Sequence, residues 1–366
     1  MNSTHQAEVV PVVLTPHPDA DTLSVVKVWG YTVVVKTDHW RGKDRGVYIT
    51  PDTLVPTGRD EFGFLADKAY EDGTYRVRAM RLRGVVSQGL LVPTDEPIGS
   101  DQYAALGCSR YEPNTLRSRK QQDKFVVGGE EAPAPALNTG PEKYDVDAWE
   151  RYGEQVFEDG EPVWVQEKLD GSNCRVVYFD GEFHVKSRNR WLKRTPDFAD
   201  VTEDALRSRG CPEDKIPGIL QRVAQQRGRV NDFWRVLEET PGLFDWLRGH
   251  PGVTVYGEVY GTTNRIKYGP NLFAAFDMNE DGEWWEFEPA MRSLAVAGVP
   301  VAPYLSVGYS EAMVTDYRSG GTLVHHAPLG TIREGVVIRP AKNCYHYRIG
   351  RAILKAVNPD FHALKG

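Results

Sequence analysis

The stretch Val165-Gln-Glu-Lys-Leu-Asp-Gly-Ser-Asn173 (VQEKLDGSN) decides how the rest of the chain is read. Upstream of it, EPVWVQEKL (161–169) reads as a strand that ends near Lys168, and Gly171 then permits a close backbone approach that a larger residue would block. A lysine attacks an electrophile only as the free amine, so a nucleophilic Lys168 needs its pKa to fall. Burial and a neighbouring cation both disfavour the ammonium form, and Asp170 is close enough in sequence to help hold such a cation. The same Lys-x-Asp-Gly string also fits an ordinary surface turn, so its company must decide.

Working outward, NCRVVYFDGEFHVKSR (173–188) reads as two strands joined by a tight Asp-Gly turn. VTVYGEVYG (253–261), NLFAAFDMN (271–279), GEWWEFE (282–288), EGVVIRP (334–340) and AILKAVN (352–358) are further strand candidates. Between them, residues 212–249 carry apolar side chains at spacings of three and four, the clearest helical signal in the chain. Residues 142–366 are therefore expected to form an α+β domain of mainly antiparallel sheets with helices. Residues 109–141 pass from the basic run SRYEPNTLRSRKQQDK to a Pro- and Gly-rich stretch, which reads as a linker or a strap along that domain. Residues 1–108 carry short apolar runs (EVVPVVL, LSVVKVWGYTVVVKT, GVYITP, GTYRVRAMRL, SQGLLVP) broken by Gly, Pro and Asp, the pattern of a small OB-like β-barrel.

An apolar content of 40% supports real cores. No run reaches the roughly 20 apolar residues of a membrane span, and the N-terminus lacks the basic start and apolar stretch of a signal peptide. The four cysteines form no CxxC pair, which speaks against a zinc cluster or disulfide framework and for a cytoplasmic protein. The net charge of −7 argues against a nucleic-acid partner on average, yet binding depends on local stripes. Lys168 to Arg194 holds seven Lys/Arg against three Asp/Glu, and TYRVRAMRLRG sets Arg76, Arg78, Arg81 and Arg83 at period-two spacing with a bulge between the pairs. Each stripe is either a phosphate-binding face or a solvated strand face.

The company of Lys168 follows in order: Arg188 in VKSRNRWLK, Glu258 in VYGEVYG, Phe276 in NLFAAFDM, Glu334 in REGVVIRP and Lys355 in AILKAVNP. Glu258 and Glu334 are flanked by apolar residues and glycine, a setting in which a carboxylate is paired or metal-linked more often than solvated. Phe276 alone also fits simple core packing, and Arg188 a solvated basic run. Taken together, these elements resemble the covalent nucleotidyltransferases, a fold unrelated to ATP-grasp, and the OB-like region ahead of them is similar in order to the fifth RNA-ligase family. HPDADTLSVVKV (17–28) also resembles the opening of OB modules that bind tRNA beside some aminoacyl-tRNA synthetases.

The resemblance implies an ATP-dependent RNA ligase: Lys168 takes AMP, passes it to a 5′-phosphate, and a 3′-OH displaces it, as in RNA repair by nick sealing. It assigns Asp170, Glu258 and Glu334 to water around Mg²⁺ or Mn²⁺. Gln166, Glu167, Asn173, Arg188, Glu258, Phe276 and Lys355 join Lys168 at ATP, with Phe276 stacked on adenine and Lys355 on phosphate. Arg76, Arg78, Arg81 and Arg83 would meet the nucleic acid, an RNA or RNA-containing nicked duplex, and the protein would act as a monomer. There are two departures. Many RNA ligases carry Lys-x-Lys where Lys355 is followed here by Ala356 and Val357, leaving Arg339 or Arg351 to supply the charge, and a helical insertion separates Arg188 from Glu258. Competing readings are a DNA ligase or capping guanylyltransferase, against which the domain order speaks, and a non-catalytic OB-type RNA-binding protein.

Overall fold

The computed structural model describes residues 7–111, 130–262 and 264–364. Most of the basic run SRYEPNTLRSRKQQDK lies outside the described residues. Contacts divide the chain into two compact units. One comprises the described parts of Met1–Glu112, Asp147–Glu158 and Tyr345–Gly366; the other comprises those of Pro113–Val146 and Asp159–Cys344.

In the first unit, β-branched residues at period two give strands with one buried face. Tyr31–Lys36 buries Tyr31, Val33 and Val35, and pairs antiparallel with Ala20–Val28, which in turn pairs with Thr15–His17. Ala7–Pro11 and Leu90–Pro93 flank Arg45–Ile49, while Thr53–Pro56 lies between Thr74–Arg76 and Ser109–Arg110. Val9, Val47, Ile49, Val55 and Phe62 form one core cluster; Val26, Val28, Val33, Val35 and Trp40 form another.

TYRVRAMRLRG is not one bulged strand. The ladder stops at Arg76, because Val77 turns into the core and trades backbone hydrogen bonds with Asp52 and Thr53. Met80–Leu82 then pairs with Val85–Ser87 in a separate hairpin, whose tight turn puts Arg83 at φ 45° and Gly84 at φ 87°. Arg76 thus lies in one sheet and Arg81 in another, with Arg78 between the strands and Arg83 in the hairpin turn.

The same unit takes in the helix Trp149–Val156 and the strand Leu354–Val357, which pairs in parallel with Asp147–Ala148. Arg151 reaches Glu8 at 2.6 Å, and Gly30 N donates to Glu150 O at 2.8 Å. A Cβ on Gly30 would lie 2.9 Å from Glu150 Cα, so the helix docks there only against glycine.

The second unit holds a six-stranded antiparallel sheet in the order Trp191–Leu192, Glu182–Ser187, Gly171–Phe179, Val253–Tyr260, Leu272–Glu280, Glu283–Trp284. The Asp180-Gly181 turn expected in FDGEF is present, with both residues at positive φ. One face of this sheet carries Cys174, Val176, Val185, Val255, Phe273 and Met278, covered by the helices Asp232–Glu238, Leu243–Gly249 and Phe287–Val296. GEWWEFE is a strand only at Glu283–Trp284. From Phe287 the apolar positions Phe287, Ala290, Met291 and Leu294 recur at helical spacing, and all four are buried on the sheet.

The other face carries a cross-strand row of Lys186, Arg175, Tyr256 and Asp277. Such polar groups survive burial only with partners. The described segment before the lysine strand supplies them, lying along this face as a strap. Wholly buried Arg175 donates to the carbonyls of Thr139 (3.3 Å), Pro141 (2.9 Å) and Glu142 (3.2 Å), and Tyr256 Oη donates to Thr139 O. Lys186 Nζ donates to Glu142 at both the carbonyl and the carboxylate.

Arg175→Met would remove three charge-assisted hydrogen bonds at once, taking from Pro141 its donor and leaving Thr139 O and Glu142 O to Tyr256 and Lys186 alone. Urea unfolding should show a loss of about 3 kcal/mol, larger than the loss from Lys186→Met, whose Glu142 carboxylate is 78% exposed and returns to water.

Candidate active site

Lys168 ends the strand Pro162–Lys168, which pairs antiparallel with Tyr304–Gly308 on one side and Gly335–Pro340 on the other. In the second pairing Lys168 faces Gly335, so the preceding residue, Glu334, comes beside the lysine. Nζ donates to Glu334 Oε1 at 2.6 Å. The chain then turns at Leu169–Asp170 and returns as Gly171–Phe179 beside Val253–Tyr260, where Asn173 faces Glu258. A Cβ on Gly171 would strike the Glu258 side chain and lie 2.6 Å from Val259 O, so glycine is what lets Glu258 cross this strand toward Lys168.

The electrostatics of this cluster differ from the expected lowering of the amine pKa. Burial pulls the Lys168 amine down, but Glu334, Glu258 and Asp170 together outweigh it and hold the group above the ordinary lysine value. Glu258 is pushed up to about 8, first by burial and then by Glu334 and Asp170, against the pull of Lys168 and Arg188. The protein's own groups therefore keep Lys168 as an ammonium among carboxylates.

Asp170 is fixed by a loop that the sequence reading did not single out. Its N–H donates to Tyr268 Oη (3.2 Å), its carbonyl accepts from Asn264 Nδ2 (2.9 Å), and its Oδ2 accepts from Ile266 N (2.7 Å). Tyr268 is fully buried. The Lys-x-Asp-Gly turn is thus clamped at three points, with the second carboxylate oxygen of Asp170 outside the clamp.

Phe276 owes its position to a β-bulge. Tyr256 pairs with Asp277 and Gly257 with Ala275, so Phe276 is the extra residue and its ring is re-aimed. It packs 5.0 Å from the ring of Tyr144, whose Oη donates to Asp277 Oδ2 at 2.7 Å. Arg188 meets Asp145 at 2.7 Å. Tyr144 and Asp145 come from the end of the strap, in the stretch YDVDAW, which no periodicity marks.

Gln166 and Glu167 are occupied within the protein. Gln166 is buried, donating to Ala302 O and accepting from Arg339, which also binds Asp277 at 3.1 Å. The buried Glu167 carboxylate accepts from Thr322 Oγ1 and from Leu323 N at 2.7 Å. Arg339 is thereby committed in the core and is not the missing motif charge. Lys355 lies in the first unit, opposite Ala148. Of the four arginines there, Arg76 is held by Asp52 at 2.6 Å and stacks on Tyr111, Arg78 donates to Tyr70 Oη, and Arg81 meets Asp360 at 3.1 Å.

Asn173 Oδ1 and Arg188 Nε are buried polar atoms with no hydrogen-bond partner among the described residues, as a site shaped for a polar ligand would leave them. Among the described residues no three His, Cys, Asp or Glu side chains gather tightly enough to hold a metal ion. The carboxylates around Lys168 suit instead a cation that keeps its water, as hard divalent ions do.

An RNA ligase family model matches residues 161–357, and an OB-fold domain model matches residues 8–94. A search of curated protein sequences finds no match. Among solved structures, a Naegleria gruberi RNA ligase variant with ATP and Mn is 22% identical with a TM-score of 0.69, covering 98% of both chains. Another variant of that ligase with AMP and Mn is 21% identical with a TM-score of 0.69, again covering 98% of both. The Naegleria gruberi RNA ligase with PPi is 22% identical with a TM-score of 0.64, covering 98% of this chain and 97% of that one. These identities speak to the fold. The family model does more, since it covers over half of the chain and includes every residue brought together around Lys168 except the strap: the chain belongs to the RNA ligase family and carries an OB-fold domain at its N-terminal side.

Proposed function

We propose that this RNA ligase consumes ATP through a covalent lysyl-AMP and seals RNA, alone or within a nicked duplex, as a cytoplasmic monomer engaged in RNA repair. The observation that carries the reading is Lys168 at the focus of Glu334, Glu258 and Asp170. Lys168 Nζ attacks the α-phosphorus of ATP; an N–P bond forms, the bond to the β-phosphate oxygen breaks, and pyrophosphate leaves. Glu334 Oε1, 2.6 Å from Nζ, accepts the proton that the ammonium gives up before attack, and the second proton, lost from nitrogen as the N–P bond forms, leaves with pyrophosphate. AMP then passes to an oxygen of the RNA 5′-phosphate, an O–P bond forming as the N–P bond breaks. The 3′-OH attacks the phosphorus of that RNA 5′-phosphate to form the phosphodiester, with AMP as the leaving group.

Asp170, Glu258 and Glu334 would hold Mg²⁺ or Mn²⁺ through water, and its charge would offset theirs and free the amine. Asn173 and Arg188 contact the nucleotide sugar and α-phosphate, the Phe276 ring stacks on adenine with Tyr144 behind it, and Lys355 contacts phosphate. That the Naegleria gruberi RNA ligase was solved with ATP, AMP, PPi and Mn supports this assignment. Residues 1–108 serve the nucleic acid, with Arg78, Arg81 and Arg83 better available to phosphate than Arg76, whose side chain is 18% exposed. Four free cysteines, three of them buried, suit a reducing compartment, and no described helix is long and apolar enough to cross a membrane.

Incubation with radiolabelled ATP and metal, followed by a denaturing gel, tests the reading directly. Lys168→Ala should take no label yet still join RNA supplied with AMP already on its 5′ end; labelling at the wild-type rate would falsify the assignment. Glu258→Ala and Glu334→Ala should each label about 10- to 100-fold more slowly, with excess Mn²⁺ restoring little, because positioning is lost along with charge. Near-normal rates would return both to ordinary strand carboxylates. In the metal-free protein, Glu334→Gln removes the closest negative charge, so the Lys168 amine should titrate at lower pH than in the wild type. Amine acylation followed against pH measures this, and an unmoved profile would sever Glu334 from the lysine.

A further inference from the structure

The segment from Gly335 to Pro359 carries five Lys/Arg and no Asp/Glu, in a chain whose net charge is −7. Within it lies a short hairpin, Tyr345–His346 paired antiparallel with Gly350–Arg351, which the mechanism above does not use. It presents three consecutive rings. Tyr345 is 67% exposed and Tyr347 83% exposed, among the most exposed large side chains described. Single exposed apolar residues need no explanation, but two tyrosines around a histidine on one small hairpin are a concentrated surface.

Each tyrosine also has a cationic neighbour. Arg351 is the direct cross-strand partner of Tyr345. Arg348 lies 5.4 Å from the Tyr347 ring centroid and donates from Nε to Tyr347 Oη at 2.8 Å. The His346 and Tyr347 rings are 4.6 Å apart at 44°, so they lean on one another without covering each other face to face. Stacking rings interleaved with guanidinium groups are what unpaired nucleic acid requires, because every base offers a π-face and every linkage a negative charge.

We propose that the hairpin at residues 345–351 is a docking platform for a single-stranded RNA segment, with bases stacked on Tyr345 and Tyr347 and phosphates met by Arg348 and Arg351. The assignment rests on RNA being the substrate. Base-paired RNA hides its base faces within its own stack, so the platform favours unpaired nucleotides and reads little sequence.

The test uses the full chain and a short, unstructured, fluorescein-labelled RNA, free or annealed to its complement, with anisotropy as the readout. Tyr345→Ala and Tyr347→Ala should each weaken single-strand binding about five- to hundredfold, whereas the double Phe variant should bind within about twofold of wild type. Arg348→Ala should lower the slope of log affinity against log salt by about 0.7. All these variants should take AMP from ATP onto Lys168 at the wild-type rate, which also shows that they are folded. Single-strand binding unchanged in the double Ala variant would overturn the proposal, and would leave the exposed rings to another partner such as a protein. Equal losses from the Phe and Ala variants would overturn stacking as the cause, as would a loss confined to the duplex. A wild-type protein that takes no label from ATP would sink the ligase mechanism instead, a result independent of what the hairpin binds.

Discussion

A protonated lysine gripped by a carboxylate at 2.6 Å is the arrangement on which the second unit turns. An ammonium and three acidic side chains crowded together and largely shielded from water are costly unless the charges are balanced, and removing one partner of such a set leaves the other uncompensated. The fold meets this demand through strand register. Lys168 faces Gly335, which brings Glu334 to it; Asn173 faces Glu258; and Gly171 leaves the space through which Glu258 passes. The resting amine is therefore stored in its unreactive form, and reactivity waits on whatever changes the local charge.

A second demand comes from the sheet face opposite the apolar core. Arg175, Lys186, Tyr256 and Asp277 form a polar row there, and the strap answers it mostly with backbone carbonyls. Once held, the strap delivers Tyr144 to Phe276 and Asp145 to Arg188. Buried polar chemistry on one face of the sheet thus shapes the wall of the candidate nucleotide site.

Much of this was legible in the sequence, because strands and tight turns announce themselves locally. The lysine strand, the Asp180-Gly181 turn, the strands bearing Glu258 and Phe276, and the helical stretch at 212–249 all follow from period and turn chemistry. The failures share a cause: each depends on partners far away in the chain. GEWWEFE mixes aromatic residues that suit either state, and packing of Phe287 and Met291 on the sheet chooses the helix. TYRVRAMRLRG divides because Val77 is drawn into the core. Tyr144, Asp145 and the Asn264–Tyr268 clamp sit in stretches without periodicity, and only the folded sheet shows what they touch.

The path of the chain between the two units carries a consequence for how the protein is made. It leaves the first unit beyond Tyr111, returns at Asp147 to build a strand and helix, departs again after Glu158, and comes back at Tyr345. The helix carrying Arg151 seats on Gly30 and Glu8, and the strand beside Asp147–Ala148 comes from residues 354–357. A ribosome must therefore pass residue 357 before the first unit acquires that strand. The short parallel pair at Asp147–Ala148 waits for residues 354–357 to be made, and no single proteolytic cut separates the two units.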